Sequence, residues 1–477
     1  MSKSQKLSPQ SVLIISILLI STFVVFLNET LLGVALPIIM QDLNIAATVG
    51  QWLNTAFMLT MAIVIPTTGY LQQRFSTRTL YVAAMAAFVV GTLLGALSPN
   101  FEILLLGRIV QAMGSAIMFP LLMTTIMDLV PEDSRGRIMG NIGIVMSVAP
   151  AMGPAVSGLI LNSLNWHWLF WVMLPIGLIT GAIGSLKLRA SHTVNKTLID
   201  LPSVALTVLA FGGLVYGLSS FGEAARGAVA VSPWVYFLTG AAFMAVFIWR
   251  QISLGKKDRA LLNLGTFKSA NFSIGLTLMV VAMLVMFGYI ILLPIYIQDG
   301  LGLSALNAGM VLLPGGLAMG LLSPVIGSLY DKFGARKLLI PASLFVAAVL
   351  YMFTFIGEDT SIWLLTFMYL LFMVGIGFFF TPLFSMTMSS VAPNLYSHAS
   401  ATVGSFQQVA GAAGTAIFIT VFTITSKAID ASESTGAQGV IYGTKSAFVL
   451  GSIMWLVTIV LAFAIRADKK VASDQAA

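Results

Sequence analysis

Long apolar runs alternate with short polar breaks along almost the whole chain. A helix needs about 20 mostly apolar residues to cross a bilayer. Fourteen windows meet that requirement: 11–36, 50–71, 79–98, 102–126, 138–161, 168–186, 201–220, 233–250, 272–296, 306–328, 338–356, 362–386, 402–424 and 446–466. The pattern predicts an all-α integral membrane protein with 14 transmembrane helices. The first window follows a basic start, MSKSQK, and continues through Ala35 without a small-x-small break. That is too long for the apolar part of a signal peptide, so it reads as a retained helix.

Lysine and arginine orient the spans. With the N-terminus placed in the cytoplasm, twenty of the 24 Lys and Arg residues fall in inner segments. Only Arg226, Lys427 and Lys445 fall outside, and Arg108 lies within a span. One helix more or fewer would invert every later loop and erase this bias, so both termini are expected on the cytoplasmic side of a bacterial plasma membrane. The composition agrees: 58% of residues are hydrophobic and 9% charged, against about 25% charged in soluble domains. The net charge of +7 then reflects the inner loops, not a nucleic-acid footprint. There is no cysteine, which excludes disulfides and thiolate metal sites. His167, His192 and His398 fall at loops without metal spacing, and neither a Gly-rich phosphate loop nor a nucleophile motif is present. An enzyme, an ATP-driven pump and a bound cofactor are therefore not expected; the energy source would be a proton gradient.

Glu29 interrupts FVVFLNETLLGVALP, an apolar run in the first span. An ionised carboxylate is costly there, so it must take up a proton or find a cation, which suits a proton carrier. Thr22, Val25 and Gly33 share its face. Arg108 is the one base inside a span, and its guanidinium stays charged, so it can tune a proton site but not be one. It is a candidate partner for Glu29 or a static clamp on a neighbouring helix. Gln111 shares the Arg108 face. Other polar, amphipathic or adaptable residues within spans are candidates for a substrate cavity: Asn28, Trp52, Asn54, Met283, Met286, Tyr289, Gln407 and Gln408.

Two loops repeat one another. GYLQQRFSTRTL starts at Gly69 and GSLYDKFGARKL at Gly327. Both have glycine, leucine two on, a basic residue and phenylalanine at five and six, and arginine at nine. Parallel halves of this kind are a transporter signature, with the site between the halves near the midplane.

The second loop resembles the loop motif of the major facilitator superfamily. QWLNTAFML (51–59), GRIVQAMGSA (107–116), APAMGPAVSG (149–158), LLPIYIQDGLGLSALNAGMVLLP (292–314) and SFQQVAGAAGTA (405–416) are similar, in order, to segments of its drug:proton antiporter-2 branch. The resemblance implies two six-helix bundles with a two-helix insertion: 1–190, a linker and hairpin over 191–268, and 269–477. It implies a role in proton coupling for Arg108, and an antiporter kink at Gly153 and Pro154. The sequence departs from the family at three places. Gln73 stands where aspartate is usual, whereas Asp331 is kept in the second loop. Leu27-Asn28-Glu29-Thr30 replaces Leu-Asp-x-Thr, and His167 and Met173 replace arginine and asparagine.

The expectation is a proton-coupled antiporter of 14 helices that exports amphipathic, often cationic, drugs and contributes to antibiotic resistance. Glu29, Arg108 and Asp128 would couple protons, one per cycle. Gly69, Arg74, Arg78, Asp331, Arg336 and Lys337 would form loop latches that break as the halves rock, Asp128 adding to the first with the PEDSRGR loop. Its partners would be small amphipathic molecules, protons and lipids, and it would work as a monomer. The alternatives are an exporter of one endogenous metabolite, lipid or peptide, and a non-transporting membrane sensor.

Overall fold

The computed structural model describes residues 8–45, 47–131, 134–188, 200–225, 231–257, 259–430 and 436–465. Lys3, Lys6, Arg189, His192, Lys196, Arg226, Arg466, Lys469 and Lys470, which enter the charge and histidine counts above, lie outside the described residues, as do 132–133 of the PEDSRGR loop. Among the described residues there is no strand, and 14 helices are long and apolar enough to span a membrane. In chain order they are α1 (Pro9–Asp42), α2 (Trp52–Arg74), α3 (Thr77–Ala96), α4 (Phe101–Leu129), α5 (Arg135–Leu161), α6 (His167–Lys187), α7 (Leu201–Ala225) and α8 (Pro233–Gly255). There follow α9 (Ala270–Ile295), α10 (Ala305–Phe333), α11 (Ala335–Phe353), α12 (Ile362–Ser389), α13 (Tyr396–Asp430) and α14 (Gly436–Ala464). The predicted spans are borne out one for one; most helices are longer than the apolar windows, and α3 and α11 keep the predicted length but start two or three residues earlier.

The helix starts have local causes. Ser8, Ser76, Asn100, Ser269 and Ser304 each sit before a helix and accept a hydrogen bond from a backbone N–H of its first turn, which satisfies a donor the helix itself leaves open. Between α10 and α11 the same position is Gly334, at φ +77°, a conformation that costs glycine nothing.

The helices form two bundles, α1–α6 and α9–α14, with the hairpin α7–α8 set against both. α5 packs along α10 on one side of the seam between the bundles, and α2 along α13 on the other. Small residues allow the close approach. Gly140 and Gly143 abut Ser323, and Gly316 abuts Ala151. In the hairpin, the Gly213 and Gly240 backbones touch. α7 leans on both α2 and α13: Ala62 and Tyr70 of α2, Ala401 and Ala412 of α13, and Ala210, Phe211, Val215 and Phe247 of the hairpin share one apolar cluster.

Candidate transport site and the latches at the loop face

The end of the molecule carrying the Gly69 and Gly327 loops is termed the loop face. From that face inward, contacts between bundles occur in layers. At the face, Asp331 accepts hydrogen bonds from the backbone N–H groups of Gly136 (2.7 Å) and Arg137 (2.9 Å), which open α5. A carboxylate at a helix N-terminus meets both unsatisfied donors and the positive end of the helix dipole. Across the same face, the Gln73 amide is 2.8 Å from Nε2 of His398, near the start of α13. Arg135 donates to the carbonyls of Met127 (2.9 Å) and Val130 (3.2 Å) at the end of α4, and its guanidinium lies over the Tyr396 ring of the other bundle. Deeper, Thr124 of α4 and Ser400 of α13 share a hydrogen bond of 2.9 Å. Next comes an aromatic layer in which Phe119 packs edge-on against Phe26 (6.0 Å) and, across the seam, Phe384 (6.2 Å).

Glu29 lies one turn beyond Phe26, about 4.5 Å further from the loop face. Among the described residues it has no hydrogen bond or ion pair, but it lies within Coulomb range of Arg108. Above it on the same face, nothing among the described residues approaches a side chain built at Gly33. Gly158 of α5 and Gly309 of α10, also toward the far end, are equally open. The bundles are thus closed at the loop face; along α5 and α10 the contact continues inward to Ala151 and Gly316, and beyond it the positions of Gly158 and Gly309 are open.

Arg108 is 1% exposed. It donates to Gln111 Oε1 (3.1 Å), more weakly to Asn28 Oδ1 (3.4 Å) and the Leu53 carbonyl (3.5 Å), and sits 4.1 Å from the centre of the Phe57 ring. Gln111 in turn donates to Thr92 (2.8 Å). Three helices besides its own therefore hold the guanidinium network. The candidate Glu29–Arg108 pair is not a salt bridge here; Asn28, one residue earlier, takes the contact. The two long bonds are weak ones, so the clamp leaves the Arg108 charge only partly compensated, within reach of the nearby carboxylate.

Several sequence candidates lie elsewhere than expected. Tyr289 is fully buried in the second bundle, stacked on Phe448 at 4.1 Å and donating to its carbonyl. Met283 lies in the same core. Aromatics at helical spacing serve packing there, and only Met286 is partly exposed. Trp52 stacks on Tyr216 of the hairpin at 5.6 Å and so is not directed between the bundles. Gln111 belongs to the Arg108 network, as does Asn28. Gln407 buries its amide nitrogen without a partner, which marks a polar spot on α13; Gln408 and Asn54 are half-buried. Gly153 packs on Thr30 of α1, within the first bundle and not at the seam, and Pro154 is exposed. Arg78, Arg336, Lys337 and Asp128 are exposed at the loop face, and Arg74 is half-buried. Of the seam's own residues, Phe119, Phe384, Thr124 and Ser400 carried no sequence signal, while Arg135 was read only within the PEDSRGR latch loop and His398 only as a loop histidine. Those four are ordinary apolar or hydroxyl residues, and their importance comes from a partner far away in the chain.

Comparison with known proteins agrees with this architecture. The sequence profile of the Major Facilitator Superfamily matches residues 18–415. The chain is 37% identical over 470 residues to the lincomycin resistance protein LmrB of Listeria monocytogenes, covering 98% of each. It is 28% identical over 399 residues to the multidrug resistance protein B homolog of Mycobacterium tuberculosis, covering 83% of this chain and 73% of that one. Among solved structures, the human organic anion transporter MFSD10 superposes with a TM-score of 0.62 over 95% of this chain and 100% of that one, at 15% identity, a likeness of fold. With this family match, these relatives and 14 candidate membrane helices among the described residues, the protein is a multi-pass membrane transporter and not an enzyme, and the chain belongs to the Major Facilitator Superfamily.

Proposed function

We propose that this transporter is a drug exporter of a bacterial plasma membrane, driven by exchange for protons, with both termini and the loop face on the cytoplasmic side. The observation that carries the reading is Glu29: an acidic residue deep in a membrane-crossing helix, without a salt bridge among the described residues, within Coulomb range of Arg108 and beyond the aromatic layer from the loop face. A proton entering from the far side reaches Glu29 before it reaches the Phe26–Phe119–Phe384 layer. Neutralising the carboxylate removes its attraction to Arg108, and a cationic substrate competes for the same carboxylate. Either event alters the force between α1 and α4, the helices that carry the central layer. The resistance proteins among the relatives support amphipathic drugs as substrates, and the Lys and Arg distribution supports the orientation. The inferred stoichiometry is one proton per cycle, since Glu29 is the one acid placed toward the middle of a span.

Proteoliposomes test this directly. An ethidium-like cation and a neutral drug are added while internal pH is followed. The wild type should move protons on addition of the cation, and Glu29→Gln should not. Proton flux that survives Glu29→Gln would sink the coupling role, and flux driven by one compound alone in a broad panel would favour the exporter of a single metabolite. Arg108→Ala should abolish export while leaving the chain in the membrane; unimpaired export would reduce the arginine to a structural clamp.

A further inference from the structure

His398 is unlike any other polar group at the seam. It is buried at 3% exposure, third residue of α13, with Nε2 on the Gln73 amide of the opposite bundle. Its Nδ1 is buried without a hydrogen-bond partner and faces Gly69, 3.1 Å from where a Cβ would stand. The Leu261 backbone also lies within hydrogen-bonding reach of the ring. An amide nitrogen donates, so Nε2 accepts from it; with the amide turned over, Oε1 accepts from Nε2–H. In both arrangements the neutral ring makes one bond across the seam, to Gln73.

An imidazolium in the same place is a different matter. It would carry two N–H donors and a full charge inside a seam where the ring is 3% exposed. It would also sit in the first turn of α13, where the helix dipole repels cations. The charged and titratable groups on the elements around it are Tyr70 and Arg74 of α2, Asp128 at the end of α4, Arg135 over the Tyr396 ring, Arg259 of the connector and the paired Asp200 and Arg250 of the hairpin. Among the described residues no carboxylate pairs with the imidazole. When the loop face opens, the ring meets water and can hold a proton at ordinary cost, as histidine does within the physiological range.

We propose that His398 is a second protonation site of this transporter, one that gates the loop face: the neutral imidazole closes it onto Gln73, and the protonated one holds it open. The proton binds on opening and leaves on closing, so this site adds a dependence on pH at the loop face without adding to the protons carried. The proposal rests on the rocking of two bundles, a property of the family, and not on Glu29 as the coupling acid.

The test reads conformation without drug or gradient. The chain has no cysteine, so Thr79→Cys and Asn394→Cys, exposed on opposite bundles, place spin labels cleanly across the loop face. Distances are measured in nanodiscs from pH 8 to pH 5.5, in a Glu29→Gln background so that the transport reading plays no part. The open fraction should rise as pH falls, by up to about tenfold per unit for one linked proton. His398→Gln, which keeps a hydrogen-bonding amide but cannot titrate in this range, should flatten the response. Gln73→Asp should reverse it, because a carboxylate opposite the imidazolium closes the latch in acid. A flat response in the parent, or an unchanged slope in either variant, overturns the proposal.

Discussion

The two contacts that close the loop face occupy matching places in the repeat, yet they are built from different chemistry. Gln73 and Asp331 are equivalent, as are Gly69 and Gly327. Asp331 presents a carboxylate to the backbone N–H groups that open α5. Gln73 presents an amide to a side chain, His398, on α13. Charge-assisted hydrogen bonds contribute about 1.5–3 kcal/mol and neutral ones about 0.5–1.5. Packing follows the same split. A Cβ at Gly327 would fall on the carbonyl of Gly136, whereas one at Gly69 would meet Nδ1 of His398 at 3.1 Å and the Ser397 carbonyl at 3.2 Å. The Asp331 side is therefore close and strongly held, and the Gln73 side is looser and weaker. If the bundles part first where they are held least, opening begins between α2 and α13, the side the hairpin covers.

The largest expected effect comes from the close side. Gly327→Ala sets a methyl group against backbone that has no flexible end to yield, and overpacking of this kind costs about 1–3 kcal/mol. Loop-face closure, measured by the spin-label distance above, should fall by about tenfold or more, and export should fall with it. Gly69→Ala asks its neighbours to give only a few tenths of an ångström, so about a twofold change at most is expected, within the roughly 0.5 kcal/mol of a mild substitution. Equal effects from the two alanines would show that the latches are alike after all.

A smaller split is expected from the polar groups. Asp331→Asn keeps one acceptor but loses the charge that complements the α5 dipole; the open population should rise about tenfold, in line with a loss near 1.5 kcal/mol. Gln73→Leu removes a neutral bond and should raise it by only a few-fold. If Gln73→Leu proves the more damaging, the looser latch is the one that governs closure, and the order of opening inferred above is reversed.

The sequence carried this comparison only in part. Apolar windows and the Lys and Arg bias were enough for 14 spans, because hydrocarbon imposes a length and a composition that few residues can evade. The repeated loops placed Gly69, Gly327 and Asp331 at a gate, and Gln73 stood out as a departure. What it lacked was the partner of each. His398 was a loop histidine until α13 brought it under Gln73, and nothing in local spacing ties residues 73 and 398. Tyr289 and Met283 failed for the opposite reason. Their spacing was right for one helix face, but whether that face meets a core or a cavity depends on the other helices. Arg108 was legible as a buried charge; that Asn28 and not Glu29 would touch it depends on one residue of helical rotation, about 100°.

The smallest prediction asks whether the hairpin belongs to the weaker latch. Arg250 on α8 donates to both carboxylate oxygens of Asp200, at 2.8 and 2.7 Å. Ser203 also donates to Asp200, and Gln251 links Ser203 to the backbone N–H groups of Leu261 and Leu262. That connector runs beside His398, so the chain of bonds ends at the Gln73 side. The Arg250 guanidinium, helped by Ser203, holds the Asp200 carboxyl below the usual carboxylate range, which is near 3.9. A group depressed in the folded state supports that state fully above its unfolded value and loses the support as pH falls through its folded value. The mooring is therefore intact at neutral pH and should be lost only in strong acid, well below the range in which His398 responds. Because the pair is partly open to solvent its contribution is modest. Asp200→Asn should raise hydrogen exchange in segments 200–203 and 259–263 by a few-fold at pH 7 and leave the start of α5 unchanged. Faster exchange at both latches would mean that the hairpin braces the whole loop face; no change at either would leave its apolar packing on α2 and α13 as its only hold.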